Sequence, residues 1–306
     1  RMPREVITIQ VGQCGNQIGG RFWELCLQEH ASLAHSGQYD DALSSFFRNV
    51  DARSENLADL PAVDDRGNPA QIRCLKARAL MIDMEEGVVN RLRRGPLAEL
   101  FDPSQIVTDV SGAGNNWAHG HHEYGPMYRG QILEALRQAT EKCQSLQSFF
   151  LLYSLGGGTG SGIGSYVCEM LQDEYPEVFR FVTPVFPSQT DADDVVTSPY
   201  NATLAVQSIR ESADCALLVS NDALASIVAR TDGGGDGGDQ GSETLAGSAL
   251  TDRPAEAARA GAAPKRAASA RSQSSSALDR RPRGTGAAAR APSATSGARR
   301  PSGAEA

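Results

Sequence analysis

A glycine run placed between an apolar segment and a helical segment constrains this chain more than any other feature. The run at 156–162 reads GGGTGSG; it follows the apolar SFFLLYS at 148–154 and leads into helical spacing at 163–173. Consecutive glycines allow several backbone N–H groups to face one anion, and a helix N-terminus adds a favourable dipole. The hydroxyl groups of Thr159 and Ser161 can donate to the same anion. The sequence therefore predicts a phosphate-binding loop between a strand and a helix.

The first 230 residues alternate between strand patterns and helix patterns. Because the predicted strands are apolar on both faces, we expect a parallel sheet covered by helices on both faces, which is an α/β fold. In such a sheet, ligands bind at the carboxyl ends of the strands. The predicted strands are 5–11, 75–82, 106–110, 148–154, 178–186 and 215–219, and the predicted helices are 16–30, 85–93, 117–146, 163–173, 199–211 and 221–228, with a loop insertion at 54–71.

The composition changes at the end of this alternating region. The segment 231–306 has no Phe, Trp, Tyr, Ile, Val or Met and only three Leu, so it cannot bury enough apolar surface to offset the entropy of ordering. We expect a folded domain over 1–230 and a disordered Ala/Gly/Arg/Ser/Pro-rich tail over 231–306. The tail carries a net charge of +3 and the whole chain −8, which leaves −11 on the domain. An acidic domain disfavours nucleic acid as a partner.

The cysteines and the apolar segments exclude several classes of protein. The six cysteines are scattered and form no CxxC pair, which favours reduced thiols over a disulfide framework or a metal cluster. No segment approaches the roughly eighteen apolar residues of a membrane span, and the chain passes at once into a strand pattern. We therefore expect a cytoplasmic protein with no membrane partner. His119, His121 and His122 lie close together in the sequence, and we interpret them as structural residues.

Two common phosphate-binding patterns do not fit this chain. The glycine run lacks the GK[ST] ending of a P-loop and therefore its phosphate-reaching lysine. The first strand is followed by GQCGNQIG, whose Gly12, Gly15 and Gly19 do not form GxGxxG. Asp83 lies far beyond the spacing of about 20 residues expected of a ribose-binding acid in a dinucleotide fold. A nicotinamide-dependent dehydrogenase is therefore disfavoured.

Three further segments follow predicted strands and can reach the same ligand. The segment 12–16 offers backbone donors, amides and a thiol, and the segment 83–86 offers carboxylates suited to Mg²⁺. The glycine- and asparagine-rich turn at 112–116 can wrap a terminal phosphate. Because parallel strands end at the same edge of a sheet, these segments and the glycine run predict one composite nucleotide site.

Four segments resemble the tubulin superfamily in their order and spacing: VGQCGNQIG, SGAGNNWAHGH, GGGTGSG and SPYNATL. Within the superfamily, SSFFRNVD (44–51), LKARALMIDMEEGVVN (75–90) and DDVVTSPYN (193–201) are similar to the epsilon-tubulin type. Alpha- and beta-tubulin are one residue shorter in the last of these segments. The resemblance runs from about residue 3 to residue 228 and stops before the central helix of the family.

The resemblance implies a GTP-binding cytoskeletal protein of the epsilon-tubulin type, with GTP or GDP and Mg²⁺ as cofactors. It implies other tubulins or centriolar proteins as partners, and a place in the cytoskeleton at the centriole, centrosome, basal body or cilium. It also implies a tubulin-type GTPase, but the family segment that completes hydrolysis lies beyond the matched region. The alternative is a nucleotide-binding interaction module that neither polymerises nor hydrolyses GTP.

The resemblance also assigns roles to matched positions. The segment 12–16 would lie against the phosphates and sugar, 112–116 would meet the γ-phosphate, and 156–162 would cradle the α- and β-phosphates. One acid of 193–194 would approach the ribose, and Asn221 would bind the guanine edge. The predicted Mg²⁺ ligands are Asp83 and Glu85, and the predicted nucleotide-binding residues are Gln13, Cys14, Asn16, Gly112, Gly114, Asn115, Asn116, Ser154, Gly156, Gly157, Gly158, Thr159, Gly160, Ser161, Gly162, Asp193 and Asn221.

Overall fold

The fold is described by a computed structural model that covers most of the first 232 residues. These residues belong to one compact unit within Arg1–Ala246. The predicted disordered tail lies outside the described residues except for its first two positions, and Asp193 and part of the predicted 54–71 loop lie outside them as well. The described residues are 4–34, 37–53, 57–63, 68, 70–188 and 195–232.

Two sheets are formed by the strands β1 (Glu5–Val11), β2 (Phe47–Val50), β3 (Cys74–Ala77), β4 (Ala79–Asp83), β5 (Ile106–Thr108), β6 (Leu146–Ser154), β7 (Phe179–Phe186), β8 (Cys215–Ala216) and β9 (Val219–Ser220). The main sheet has the order β5-β4-β1-β6-β7-β8, and β9 also pairs with β7. The recorded pairings within it are all parallel. The small second sheet pairs β2 with β3 in antiparallel fashion.

The helices connect the strands of the main sheet, and local sequence accounts for several of their ends. Asp40 accepts a hydrogen bond from Leu43 N at 2.9 Å and so caps α2, whereas Pro199 occupies the first turn of α6. No helix in the described part of the chain has the length and apolar character needed to cross a membrane. The helices are α1 (Gly12–Leu33), α2 (Asp41–Phe46), α3 (Glu86–Arg94), α4 (Gly125–Glu141), α5 (Gly164–Glu174), α6 (Ser198–Ser212) and α7 (Asn221–Asp232).

Alternate residues of β4 show that the main sheet has a hydrophobic core on each face. Leu80 and Ile82 belong to one core, which includes side chains of α4, α5 and α6. Ala79 and Met81 belong to the other core, where the fully buried Trp23 of α1 packs with side chains of α2 and α3. Successive side chains of a strand point to opposite faces, so a strand buried on both sides must be apolar throughout. The prediction of an α/β fold is confirmed.

The predicted strand at 75–82 is wrong in one respect, because the structure divides it at Arg78. Its first part, β3, joins the small sheet, whereas its second part, β4, lies beside β1 in the main sheet. The buried Arg78 guanidinium donates to Glu5 Oε1 at 2.5 Å and to the backbone oxygens of Ser44 and Lys142. A buried guanidinium needs an anionic partner and several acceptors. The chain changes sheets at the residue where those acceptors converge.

The predicted helix at 117–146 and the predicted strand at 215–219 are also corrected. A π-helical segment, His119–Tyr124, precedes α4, which ends at Glu141 before β6 begins at Leu146. The strand is interrupted after Ala216 and resumes at Val219 as β9. A second π-helical segment, Thr159–Ile163, lies between the glycine run and α5. Such wide turns are short and occur inside or beside α-helices, so hydrophobic spacing alone does not locate them.

Replacing Arg78 with Met should lower the free energy of unfolding by about 3 kcal/mol or more. The substitution would leave the buried Glu5 carboxylate without its charged partner, which is the costly way to break a buried ion pair. The control is Arg137→Met, since Arg137 pairs with Glu134 and Glu141 on the exposed surface of α4, where ion pairs are screened by water, and should leave stability nearly unchanged. Urea unfolding at pH 7 measures both, and equal losses would contradict the role assigned to the buried pair.

Candidate functional site

A cleft of about 390 Å³ opens at the carboxyl edge of the main sheet. A larger cleft of about 870 Å³ lies around Glu5 and Arg78, at the amino ends of β1 and β4, and these two groups already bind each other. None of the predicted site residues that the structure describes lines the larger cleft. The cleft at the carboxyl edge is lined by Gln13, Cys14, Gln17, Asp83, Glu85, Ala113, Gly114, Asn115, Ser154, Gly157, Gly158, Thr159 and Gly160.

The glycine run lies against two other backbone segments with no room for a side chain between them. A Cβ atom added to Gly158 would lie 2.5 Å from Asn116 N and 2.9 Å from Ala113 O. Gly12 has φ +73°, and a Cβ atom there would lie 3.0 Å from Gly160 N. Glycine is required where backbones approach this closely or where φ is positive. The three loops therefore share one compact arrangement around the cleft.

The turn between β5 and the first π-helical segment projects its backbone toward the cleft. Gly114 and Asn115 both have left-handed backbone conformations, with φ of +57° and +52°. Asparagine tolerates this conformation better than most residues, which fits its place after a glycine here. Asn116 N donates to Ala113 O at 3.0 Å and closes the turn. The side chain of Asn115 is exposed at the cleft, where its amide can meet a ligand.

The start of α1 supplies the floor of the cleft. Gln13, Cys14 and Gln17 line it, and burial raises the pKa of the Cys14 thiol to about 11, so the thiol stays protonated at neutral pH. Asn16 is fully buried, and its amide donates to Gly12 O at 2.9 Å and to Ile82 O at 3.1 Å. It ties the first turn of α1 to the end of β4. Asn16 therefore supports the cleft from behind and is absent from its lining.

Asp83 ends β4 with a carboxylate that is only 3 % exposed. Its Oδ1 accepts from Glu85 N at 3.3 Å, while Oδ2 is buried with no hydrogen-bond partner among the described residues. Burial raises the pKa of Asp83 to about 6, and the neighbouring Glu85 carboxylate adds to this rise against the opposing backbone hydrogen bonds. Ten buried side-chain atoms of the described residues have no hydrogen-bond partner, and Asp83 is the residue among them that also lines the cleft. Buried polar atoms normally have partners, so this carboxylate is suited to a ligand or cation in the cleft.

The acidic pair fits a Mg²⁺ ion that is shared with a phosphate ligand. Asp83 and the exposed Glu85 both line the cleft. No cluster of three or more His, Cys, Asp or Glu side chains suited to a metal occurs in the part of the chain that the structure describes. Mg²⁺ usually takes one or two carboxylates and completes its shell with water and phosphate oxygens. The donor set is therefore suited to a metal that arrives with its ligand.

Several predicted residues lie behind the cleft rather than in its lining. Gly112 faces Glu85, where a Cβ atom would lie 2.2 Å from Oε1, and Gly162 packs against the backbone of Trp117. Ser161 is fully buried and donates to Gly157 O. Three more predicted residues are outside the lining of the cleft. Asn116 closes its own turn, and Gly156 lies beside Ser198 and Pro187. Asn221 is exposed and begins α7.

Sequence reasoning missed residues that line or brace the cleft. Gln17 lines it because it lies four residues after Gln13 on the same face of α1, a spacing that was visible in the sequence. Ala113 was passed over between the glycines of its turn. The bracing residues are Thr197, which precedes α6, and Ser198 and Asn201 of α6. No local pattern indicates that their side chains reach loops about 40 and 80 residues away.

The clustered histidines lie outside the cleft in an aromatic and acidic surrounding. The His121 ring stacks on Trp117 with a centroid distance of 4.4 Å, and its Nε2 lies 3.1 Å from Glu169 Oε2. Ser208 donates to the other oxygen of Glu169 at 2.6 Å. Burial would raise the pKa of Glu169, but the hydrogen bonds from His121 and Ser208 outweigh it and lower the pKa. The cluster joins the first π-helical segment to α5 and α6.

Comparison with known proteins agrees with this architecture. The parallel sheet and the loops at its carboxyl edge define an α/β domain with a glycine-loop cleft. Residues 5–229 match the family model described as "Tubulin/FtsZ family, GTPase domain". The chain therefore belongs to the tubulin/FtsZ family, as the sequence motifs predicted.

Individual relatives cover the same region. The chain is 54 % identical to the tubulin epsilon chain of Mus musculus and 52 % identical to that of Homo sapiens, each over 228 residues that make up 74 % of this chain and 46 % of the relative. It is 40 % identical to the tubulin beta-6 chain of Gossypium hirsutum over 74 % of this chain and 48 % of that relative. The chain thus spans about half the length of the curated relatives it matches.

Replacing Gly158 with Ala should lower the free energy of unfolding by about 1 to 3 kcal/mol. The new methyl group would overlap Asn116 N and Ala113 O, and backbone atoms cannot move aside cheaply. The matched control is Gly157→Ala, because the atom nearest to its Cβ would be 3.9 Å away. Urea denaturation of both variants is the measurement. Equal stability of the two would show that the loops are less closely packed than described.

The contribution of Asp83 to the stability of the ligand-free protein should fall as the pH rises from about 4 to about 6. The pKa of Asp83 is about 6 in the folded state and about 3.9 in an unfolded chain, so the folded state binds more protons between these values. Asp83→Asn removes the buried charge and should be more stable than the natural chain by about 1 to 3 kcal/mol at pH 7, but not at pH 4. Urea unfolding of both proteins from pH 4 to pH 7 measures this difference in the free energy of unfolding. A difference that stays the same across the range would contradict the prediction.

Proposed function

We propose that the cleft at the carboxyl edge of the sheet binds a guanine nucleotide together with Mg²⁺. The observation that carries the proposal is that three loops line one cleft together with Asp83, a buried carboxylate with one oxygen unpartnered among the described residues. The loops are the start of α1, the 112–116 turn and the glycine run. Membership of a family described by its GTPase domain supports guanosine triphosphate as the ligand.

The glycine run supplies the donors for the inner phosphates. Gly157 to Gly160 line the cleft at the start of a helical segment, so their backbone N–H groups can bind an anion that the positive end of the helix dipole also favours. The hydroxyls of Thr159 and Ser154 add donors from the same side. Gln13 and Cys14 face the phosphates from the start of α1. A di- or triphosphate would thus be held by neutral donors, without a lysine.

The terminal phosphate is assigned to the turn that contains Gly114 and Asn115. Both residues line the cleft, and the absence of a side chain on Gly114 lets the backbone approach a phosphate oxygen. Asp83 and Glu85 would hold Mg²⁺, which supplies positive charge to neutralise the phosphate oxygens when it is bound. The two carboxylates would otherwise repel the nucleotide, so we expect nucleotide affinity to depend on Mg²⁺.

The remaining proposed contacts are those to the guanine base and to the ribose. Asn221 begins α7 after β9, and its amide offers one donor and one acceptor face, which matches the mixed edge of guanine. Asp193, which lies outside the described residues, is proposed for the ribose.

We also propose that the protein acts in the cytoskeleton through other tubulins. Two relatives that are more than half identical to the matched region carry the name tubulin epsilon chain. A role at the centriole, centrosome, basal body or cilium, and centriolar protein partners, form the finer part of this proposal. The proposed activity is nucleotide binding, and hydrolysis is not part of it.

The proposal is tested by titrating the purified full chain with GTP, and with ATP as a control, in the presence and absence of Mg²⁺. Calorimetry should show one GTP per chain, with ATP weaker by about tenfold or more and with GTP weakened by removal of Mg²⁺. Binding of ATP as tight as that of GTP would contradict guanine selectivity. Absence of binding at millimolar GTP would overturn the proposal.

A pair of variants links binding to the described cleft. Gly157→Ala should keep its stability but lose about tenfold or more in GTP affinity, because its methyl group would enter the space between Asn115 and Ser154. Asp83→Asn should lose the effect of Mg²⁺ on GTP affinity while remaining folded. Unchanged GTP binding in both variants would place the nucleotide elsewhere.

A further inference from the structure

One buried amide in α6 joins the two loops that the proposed function assigns to different phosphates. Asn201 is 3 % exposed, and its Nδ2 donates to Asn115 O at 2.9 Å and to Gly156 O at 2.8 Å. Its Oδ1 accepts from Trp117 N at 2.9 Å. Asn201 does not line the cleft, so it can act on a ligand only through the loops it holds.

Two hydroxyl groups at the beginning of α6 each donate a hydrogen bond to one of these loops. Thr197, the residue before α6, donates from Oγ1 to Asn115 O at 2.7 Å, which is a contact to the 112–116 turn. Ser198, buried at the start of α6, donates from Oγ to Gly156 O at 3.3 Å, which is a contact to the glycine run. We name Thr197, Ser198 and Asn201 together the α6 clamp. We call Thr197 and Ser198 the two arms of the clamp, because each donates to one loop, whereas Asn201 donates to both.

The clamp acts at a strained point of the backbone. Asn115 has φ of +52°, a left-handed conformation that is unfavourable for most residues with a side chain. Its carbonyl oxygen accepts from both Thr197 and Asn201, which fixes the orientation of the peptide that follows. Because the N–H group of the same peptide, Asn116 N, donates to Ala113 O at 3.0 Å, this peptide is held from both sides. The clamp thus sets the geometry of the turn assigned to the terminal phosphate.

We propose that the α6 clamp consists of positioning residues that set the spacing between the 112–116 turn and the glycine run. Through this spacing, the clamp determines how strongly the site prefers a nucleoside triphosphate to a diphosphate. The inference rests on the proposed guanine-nucleotide function and adds the residues that control the preference for GTP over GDP. Thr197 bonds the terminal-phosphate turn at 2.7 Å and lies 3.5 Å from the Asn201 amide through the same hydroxyl oxygen, whereas Ser198 bonds the loop that both nucleotides share.

Only an amide side chain meets the geometry at position 201. The site needs two N–H donors for two carbonyl oxygens and one acceptor for Trp117 N, all from a short side chain. An aspartate of the same size could accept from Trp117 N but would place its charge against two carbonyl oxygens. Asn201→Asp therefore replaces the two donated hydrogen bonds with repulsion between oxygens, with the least change in side-chain volume.

The test compares the affinities of the full chain for GTP and GDP in the presence of Mg²⁺. Thr197→Val should lower the ratio of GTP to GDP affinity by about three- to tenfold, the loss expected of one hydrogen bond. Ser198→Ala should weaken GTP and GDP by the same factor and leave the ratio unchanged. Asn201→Asp should weaken both nucleotides and also lower the ratio.

The matched control is Thr203→Val in the same helix. Thr203 is exposed and donates to Pro199 O at 2.7 Å, so its hydroxyl makes the same type of bond without reaching either loop. It should change neither affinity. If Thr197→Val lowers GTP and GDP affinity equally, the clamp is only a structural brace and the inference is overturned. If the natural chain binds neither nucleotide, the proposed function fails instead.

A second measurement tests the clamp in the absence of any nucleotide. Hydrogen exchange in the free protein should become faster at 112–117 in Thr197→Val and faster at 156–158 in Ser198→Ala, with no change at the other loop in each case. Asn201→Asp should increase exchange at both loops. Exchange that rises equally at both loops in the two single-arm variants would overturn the division of the clamp into separate arms.

Discussion

The site depends on the direct approach of backbone to backbone at the carboxyl edge of the sheet. Gly12 lies against Gly160, and Gly158 lies against the 112–116 turn, at distances that exclude a Cβ atom. Hydrogen-bond donors from three distant parts of the chain can therefore face one small volume. Larger side chains at these positions would hold the loops apart and divide the cleft. The strands, the two cores and the buried Arg78–Glu5 pair keep the ends of β1, β4 and β6 in place for this contact.

The same edge of the sheet carries a group that is poorly satisfied in the free protein. Asp83 is buried with one oxygen unpartnered, and among the described residues with such atoms it is the one that lines the cleft. A buried carboxylate of this kind lowers the stability of the free protein, and the proposed cation would supply its missing partner. The local sequence is thus a compromise between folding and binding. Residues at binding sites often depart in this way from what stability alone would favour.

Sequence reasoning recovered the parallel α/β fold, most strand positions and the loops that meet at the cleft. These features have local signals, such as apolar strands and the glycine run beside an amphipathic helix. It missed the division of the strand at Arg78, because the acceptors of Arg78 come from Ser44, Lys142 and Glu5. It missed the α6 clamp for the same reason, since hydrogen bonds between distant segments leave no periodic pattern in the sequence.

The two π-helical segments have a consequence for how this domain can change over time. Gly120 of the first segment and Gly162 of the second lie in direct contact, since a Cβ atom on Gly162 would be 2.8 Å from Gly120 Cα. A π-helical turn corresponds to one extra residue in a helix. An insertion, deletion or larger residue in either segment would therefore need a compensating change in the other. We expect the two segments to have been inherited as one unit, although 34 residues separate their last and first positions, Tyr124 and Thr159.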